Sequence, residues 1–525
     1  MNRASRWVAL RPSGSSGLPC CALPTNAARD SATDTSLSQL SPGRRIPAST
    51  NRLSTQCAGM RAPDNSRPQM EYDLSLAEDL VDYALSLKFE DLGEPVIHTA
   101  RQRMVDSIGC ALGALHAPPV NSIRAYTQTL PDGPSTILFS RKKVTPEAAA
   151  FLNATMVRFL DFNDGYFGLE PGHSSDNIPA CLAVAQAEGL SGQDLVLAMV
   201  IAYEVQMQLQ DAACLFRRGW DHVNYVTISA SLAVGRLLCL SSSEMVHALS
   251  MALNGHIAMR QVRSGELSGW KGASAANATR SAIFCAYLAR HGMTGPSEIF
   301  EGEMGFFNQV SGPIGLDFDM FGNSQNQDFR IQHARTKLYP TNGEMQTAVM
   351  CAIGLREEIG DLGNIKTIKV ATTDVGYKFL AKDPAKWRPE TRETADHSLP
   401  YTVARALVDG QITRATYDAA DFGDPQIIEV IDKITVHEDP VLAAQMPSLA
   451  NRVTITLKDG RILEKEAGTR TSPRIGISDG DLEVKFRDFA NIHLDTQDIQ
   501  TALEHMWTIE TATSFDPLFR ALDLT

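Results

Sequence analysis

The chain is 525 residues long, 43% hydrophobic, and carries a formal net charge of -13. That is enough apolar material for a large core and more than one domain. The first 70 residues hold nine Arg, no Lys and three Asp, a net of about +6 that leaves about -19 on the remainder. An acidic body of this kind argues against nucleic acid or an anionic membrane as a main partner. It still admits an acidic substrate, because cations gathered in a pocket override net charge. Nine cysteines are scattered with no C-x-x-C pair, so zinc-ribbon spacing is absent. Several sit in apolar helical runs such as SAIFCAYLA and read as reduced, buried thiols of an intracellular protein. The longest apolar stretch, Leu195 to Tyr203, is too short to cross a bilayer.

Residues 1–70 are rich in Arg, Ser, Pro and Gly, poor in acid, and lack a sustained apolar period. The segment reads as disordered, and its composition suits a mitochondrial transit peptide. The other reading is an untargeted extension of a cytoplasmic protein, since Met60 and Met70 each offer a start and Met70 directly precedes the first amphipathic helix. From there helical periodicity dominates. In EDLVDYALSLKF, Leu80, Val81, Ala84 and Leu87 fall on one face. Two further helices open with Ser three residues before an acid, Ser191 with Asp194 and Ser241 with Glu244, the spacing of a capping box. The run GASAANATRSAIFCAYLARHG is rich in small residues, which suits close helix packing.

The character changes after about residue 336. NIKTIKVATT and EVIDKITVHED alternate as strands, and NRVTITLKDGRILEKEA reads as a hairpin turning at Asp459-Gly460. Helices return in DIQTALEHMW and DPLFRALDL. The pattern predicts a mainly α protein: a large all-α domain from residues 71–335 and 471–525, with a smaller α/β domain inserted over 336–470. A cleft between two such domains is a natural ligand site. No G-x-G-x-x-G or Walker pattern stands in a strand-turn-helix context, so no nucleotide site is supported.

The stretch RFLDFNDGYFGLEPGHSSDN crowds Asp161, Asp164, Glu170, His173 and Asp176 into a loop punctuated by Gly and Pro. Grouped carboxylates raise one another's proton affinity, and a histidine among them carries protons near neutral pH, as acid–base chemistry requires. The bland alternative is a network of caps and turns, with Ser175 or Asp176 simply capping a helix. Four other places join it. His222 precedes an apolar helix, where the dipole favours a neutral ring or a plain cap. Lys271 stands in SGWKGASAANATR among small residues, awkward for packing and suited to gripping a carboxylate. RTKLYPTNGEMQ supplies Lys337, Tyr339 and Glu344, and DHSLPYTVARALVDG supplies His397 and Tyr401.

Taken in order, RFLDFNDGYFGLEPGHSSDN, SGWKGASAANATR, KLYPTNGEMQTAV and DHSLPYTVARALVDG resemble the successive motifs of the MmgE/PrpD family, which includes 2-methylcitrate dehydratase and cis-aconitate decarboxylase. The resemblance runs from about residue 73 to the end. It implies an all-α domain with an α/β lid, a homodimer, a tricarboxylate-like substrate bound between the domains, and no metal or other cofactor. Carried over position by position, it implies catalytic roles for Asp161, His173, His222, Lys271 (with Asn277 six residues on) and Tyr401. Asp164, Asp176, Lys337 and Glu344 are expected at the substrate. The DFND, GH.SDN and WKGASAANA strings are more similar to the dehydratases. Ser174 departs from the Pro of their GHPSDN string, and Gly165 stands where the decarboxylases carry Thr. Glu344 lies where many relatives have a His, which leaves one acid–base group open and points to an altered substrate such as a citrate with a longer alkyl chain. The expectation is a metal-free hydro-lyase acting on 2-methylcitrate or a longer 2-alkylcitrate. A cis-aconitate decarboxylase, a related diacid isomerase and a non-catalytic metabolite-binding homologue are the alternatives.

Overall fold

The computed structural model describes residues 75–418, 421–445, 448–468 and 478–525. The leader expected over residues 1–70 lies outside them. The chain is mainly α-helical with one sizeable sheet. Its helices form where the apolar spacing and the caps agree. Helix Leu76–Ser86 starts at Ser75 in a capping box with Glu78, and it buries Leu80, Val81 and Ala84 completely. Ser191 and Ser241 open helices Gly192–Ala212 and Ser242–Gly255 with the same reciprocal bonds.

Two large hydrophobic clusters organise the described chain. One draws on residues from Leu76 to Ala334 and again from Leu482 to Leu522, and the other on residues from Met345 to Leu457. The second cluster covers a four-stranded sheet in the order Ile434–Glu438, Ile365–Thr372, Asn451–Leu457, Ile462–Ala467. The first two strands pair in parallel, with Ile368 opposite Ile434. The other pairs are antiparallel, and Ile368 also faces Ile455. Strand Asn451–Leu457 alternates buried and half-buried residues, so one face is committed to the core. Gly460, with φ +92°, makes the turn that the Asp459-Gly460 pair predicts.

One helix contact sets up the site. Helix Trp270–Arg290 packs on helix Pro146–Phe159, and a Cβ on Gly272 would stand only 3.3 Å from the Phe159 ring. This close approach brings Lys271 level with the loop that leaves Phe159. No helix among the described residues is long and apolar enough to cross a membrane. Cys110, Cys181 and Cys351 are buried free thiols as expected, but Cys239 is exposed, because it sits past the end of its helix with φ +52°.

Candidate active site

Helix Pro146–Phe159 ends and the chain turns at Asp161, which takes φ +52°, a left-handed conformation that Asp adopts more readily than most residues other than Gly. Strong ion pairing holds it there. Arg158 Nη1 donates to Asp161 Oδ1 at 2.5 Å, and Lys337 Nζ donates to the same oxygen at 2.8 Å and to the Asp161 carbonyl at 2.7 Å. Lys271 Nζ lies 3.8 Å from Oδ2. Burial pushes this carboxyl up, but Arg158, Lys337, Lys271 and His397 together hold it well below the usual range.

Lys271 is fully buried, and its ammonium is spent on Asp396, 3.1 Å from both carboxylate oxygens. Arg392 Nη1 adds a second cation to Asp396 at 3.1 Å. His397 bridges the two aspartates, with Nδ1 2.5 Å from Asp396 Oδ1 and Nε2 3.2 Å from Asp161 Oδ2. Burial, reinforced by Lys271, pushes His397 down to about 3 despite those carboxylates. The ring is therefore neutral with one N–H. Placed on Nδ1, that hydrogen serves Asp396, which matches the lack of any donor on Asp161 Oδ2 among the described residues. This layer of alternating charges forms a floor. Lys271, Lys337 and Asp161 lie behind the wall of the neighbouring cleft rather than in it.

The cleft opens between the two hydrophobic clusters, about 530 Å³ of empty space counted out into open solvent. On one side stand His173, His222, Arg158, Arg260 and Arg263; on the other, Asn342, Gly343, Glu344, Val375, Phe379 and His397. His173 Nδ1 lies 2.6 Å from the Asp164 carbonyl. A carbonyl only accepts, so Nδ1 carries the hydrogen and Nε2 presents a lone pair, 3.6 Å from Asp161 Oδ1. His222 stands at the N-terminus of helix Val223–Leu237 without a side-chain bond to its first turn, with Nδ1 3.3 Å from Asp221 Oδ1 and with Nε2 buried and unpartnered among the described residues. Burial, then nearby cations, holds both rings neutral, well below the ordinary histidine value, although Asp161 and Asp221 pull the other way. The two rings are 5.8 Å apart, centre to centre.

Three guanidinium groups line this small space. Arg263 donates to both Asp221 oxygens, at 2.7 and 3.3 Å, while its Nη1 has no partner among the described residues. Arg260 lies over the Phe379 ring at 5.1 Å, and its Nε is likewise unpartnered. Buried cation donors without acceptors require an explanation, and an absent anionic ligand supplies one. Facing them, Glu344 is 5% exposed, and its Oε2 accepts from Thr373 Oγ1 at 3.1 Å. Burial pushes its carboxyl up to about 7, against the Thr373 bond, so it holds a proton into the neutral range.

The structure gathers Asp161, His173, His222, Lys271, Lys337 and Glu344 in or directly behind one cleft. Asp164, Asp176, Tyr401 and Asn277, also singled out from the sequence, do not line it. Asp164 accepts from Ser175 Oγ at 2.6 Å and Tyr203 OH at 2.7 Å, which ties the loop to a helix. Asp176 sits behind Arg158 at 4.0 Å, and burial pushes it up to about 7. Tyr401 is buried in the second hydrophobic cluster against Phe422 and Tyr417, with its hydroxyl unpartnered among the described residues. Asn277 points away too, toward His256 and Arg280. Sequence reasoning passed over Arg158, Arg260, Arg263, Asn342 and Asp396. The faint signals were RFLD, which sets Arg158 one turn before Asp161, and RQVR, two arginines three apart shortly before Lys271. No group of three or more His, Cys, Asp or Glu among the described residues is arranged to hold a metal ion.

Comparison with known proteins places this architecture. Residues 78–319 match the MmgE/PrpD N-terminal domain and residues 339–509 the MmgE/PrpD C-terminal domain. A protein named 2-methylcitrate dehydratase from Cupriavidus necator is 30% identical over 433 residues, covering 77% of this chain and 86% of that one. The mitochondrial 2-methylcitrate dehydratase of Yarrowia lipolytica is 29% identical over 453 residues, 80% of this chain and 84% of the relative. The 2-methylcitrate dehydratase-like protein oryR of Aspergillus oryzae is 29% identical over 443 residues, 77% and 85% respectively. With both domain models matched in order and together spanning most of the described body, the chain belongs to the MmgE/PrpD family.

Proposed function

We propose that the chain is a hydro-lyase that removes water from 2-methylcitrate or a longer 2-alkylcitrate, giving the 2-alkyl-cis-aconitate without a metal. One observation carries the reading: Arg260, Arg263 and His222, each with a buried polar atom that has no partner among the described residues, line the same cleft as a proton-bearing Glu344. The relatives named 2-methylcitrate dehydratase support the same substrate class. Loss of water needs a base for the C–H proton next to a carboxylate, an acid for the departing hydroxyl, and cations for the charge that builds on the carboxylate. His173 and His222 are the bases on offer, since both are neutral with a lone pair at Nε2. Asp161 stands ready to stabilise the imidazolium that His173 becomes. The C–H electrons form the new double bond, the C–O bond breaks, and Glu344 gives its proton to the leaving hydroxide. Arg158, Arg260 and Arg263 hold the three carboxylates. Lys271 and Lys337 work from behind by fixing Asp161 and Asp396, and Tyr401 takes no part.

The test is to incubate the full chain with 2-methylcitrate, citrate and cis-aconitate, with and without a chelator, following the absorbance of the unsaturated product and its mass. Water loss from 2-methylcitrate that survives the chelator is the expected result. Itaconate and carbon dioxide from cis-aconitate would replace the reading with a decarboxylase. Two further parts of the proposal concern the whole protein. Homodimerisation is checked by light scattering, and mitochondrial import by the destination of a fluorescent fusion carrying residues 1–70.

A further inference from the structure

A groove of about 680 Å³ adjoins the cleft and shares Phe167, Pro171, Glu344 and Val375 with it. The remaining apolar lining includes Leu169 and Phe216. Leu169 is 61% exposed, whereas Asp161, Asp164, Glu170 and Asp176 of the same loop are buried. The groove also carries charged residues, but several cancel in pairs: Arg217 with Asp374 at 3.3 Å, and Arg330 with Asp211 at 3.2 Å. Tyr166 further satisfies Asp211, donating at 2.7 Å. Between these paired charges the groove carries apolar surface from Phe167, Leu169, Pro171, Phe216 and Val375, continuous with the cleft through Phe167, Pro171 and Val375. The Phe167 ring marks the boundary, since its tip abuts Gly343, where any Cβ would collide with it, and it lines both the cleft and the groove.

We infer that this groove is the subsite for the alkyl substituent of the substrate, and that the chain accepts 2-alkylcitrates with substituents well beyond methyl. The inference rests on the dehydratase reading of the cleft. With three carboxylates held by the arginines and Glu344 over the hydroxyl, a substituent on the adjacent carbon leaves past Phe167 and Val375 and lies along Leu169 and Phe216. Each methylene moved from water onto that apolar surface raises kcat/KM about fourfold until the groove is filled.

The experiment measures kcat/KM for the full chain with 2-methyl-, 2-butyl-, 2-hexyl- and 2-octylcitrate. In parallel, calorimetry gives the affinity of the matching alkyl tricarballylates, which lack the hydroxyl and do not react. Leu169→Asp, a change at an exposed position, is measured beside the native chain. The expected result is a steep rise with chain length in both series, flattened by Leu169→Asp. Water loss from 2-methylcitrate with a flat or falling profile overturns the groove and leaves the dehydratase. A rise that Leu169→Asp leaves equally steep also overturns it. No water loss from any member, with affinities that still climb, overturns the dehydratase reading and keeps the groove. Flat affinities and no turnover overturn both.

Discussion

Replacing Glu344 by Gln separates the proposed acid from a packing residue, because the substitution keeps shape and removes only the proton chemistry. Burial raises this carboxyl from an ordinary 4.5 to about 7. The sign follows from proton binding. Below 4.5 both folded and unfolded chains hold the proton and nothing is lost. Between 4.5 and about 7 the unfolded chain releases it while the folded one retains it, so the side chain's contribution to stability declines as pH rises and is gone above 7. Charging the carboxylate in place costs about 3 kcal/mol at about 1.4 kcal/mol per pH unit. Glutamine feels none of this. The stability of Glu344→Gln relative to the native chain should therefore improve by about 2 kcal/mol between pH 5 and pH 8. Urea titrations at the two pH values measure it. Glu170 and Asp176 are also raised to about 7, but both chains share them, so their contribution cancels in the difference. Turnover moves the other way. Native kcat falls as pH rises through about 7, and the substitution lowers it at pH 6.5 by about 100- to 10,000-fold, the usual worth of a positioned acid. A variant that turns over within about threefold of the native chain removes Glu344 from the chemistry. An unchanged stability difference at the two pH values refutes the raised carboxyl.

Tyr401→Phe tests the packing role directly: turnover should stay within a few-fold and stability should hold, because the hydroxyl it removes has no partner; a large loss of kcat in folded protein restores the catalytic role expected from the motif. Lys271→Ala takes a buried cation from Asp396, leaving it Arg392 alone, and weakens the cluster around Asp161; it should cost about 3–5 kcal/mol in a denaturant titration, with turnover lost alongside. His173→Ala should abolish turnover in protein whose circular dichroism is native, and near-native turnover would sink its assignment. Arg263→Gln should raise KM for a tricarboxylate more than for a dicarboxylate analogue, read from initial rates, since one guanidinium is removed from a site built for three charges. Gly343→Ala forces the Phe167 ring to move and should cost about 1–3 kcal/mol of stability, measured by thermal or denaturant unfolding.

Much of the framework was legible because it is written locally. The capping serines 191 and 241 lie three residues from their partners, and strand alternation and the Asp459-Gly460 turn are short-range patterns. The acidic loop advertised itself by composition, and the family resemblance added Lys271 and the histidines. What the loop's carboxylates do was not legible. Asp161, Asp164 and Asp176 are equal in the sequence, yet one is clamped by cations, one ties a loop to Tyr203, and one is raised to about 7 behind Arg158. Charge state depends on what stands within a few ångströms, and those neighbours come from Lys271, Lys337 and His397, far along the chain.

The same reason explains the arginines and Tyr401. Arg260 and Arg263 look like surface residues of a short turn until the fold sets them opposite Glu344, more than 80 positions away in sequence. Tyr401 carries the family's motif but turns its ring into the second hydrophobic cluster, because the helix face on which it falls is the buried one. The sequence by itself determined the elements, the family and the residue types brought to the cleft. Only the tertiary structure decided which carboxylate is charged, which imidazole nitrogen is free and which cations face the substrate, because each of these is a property of groups brought together across hundreds of residues.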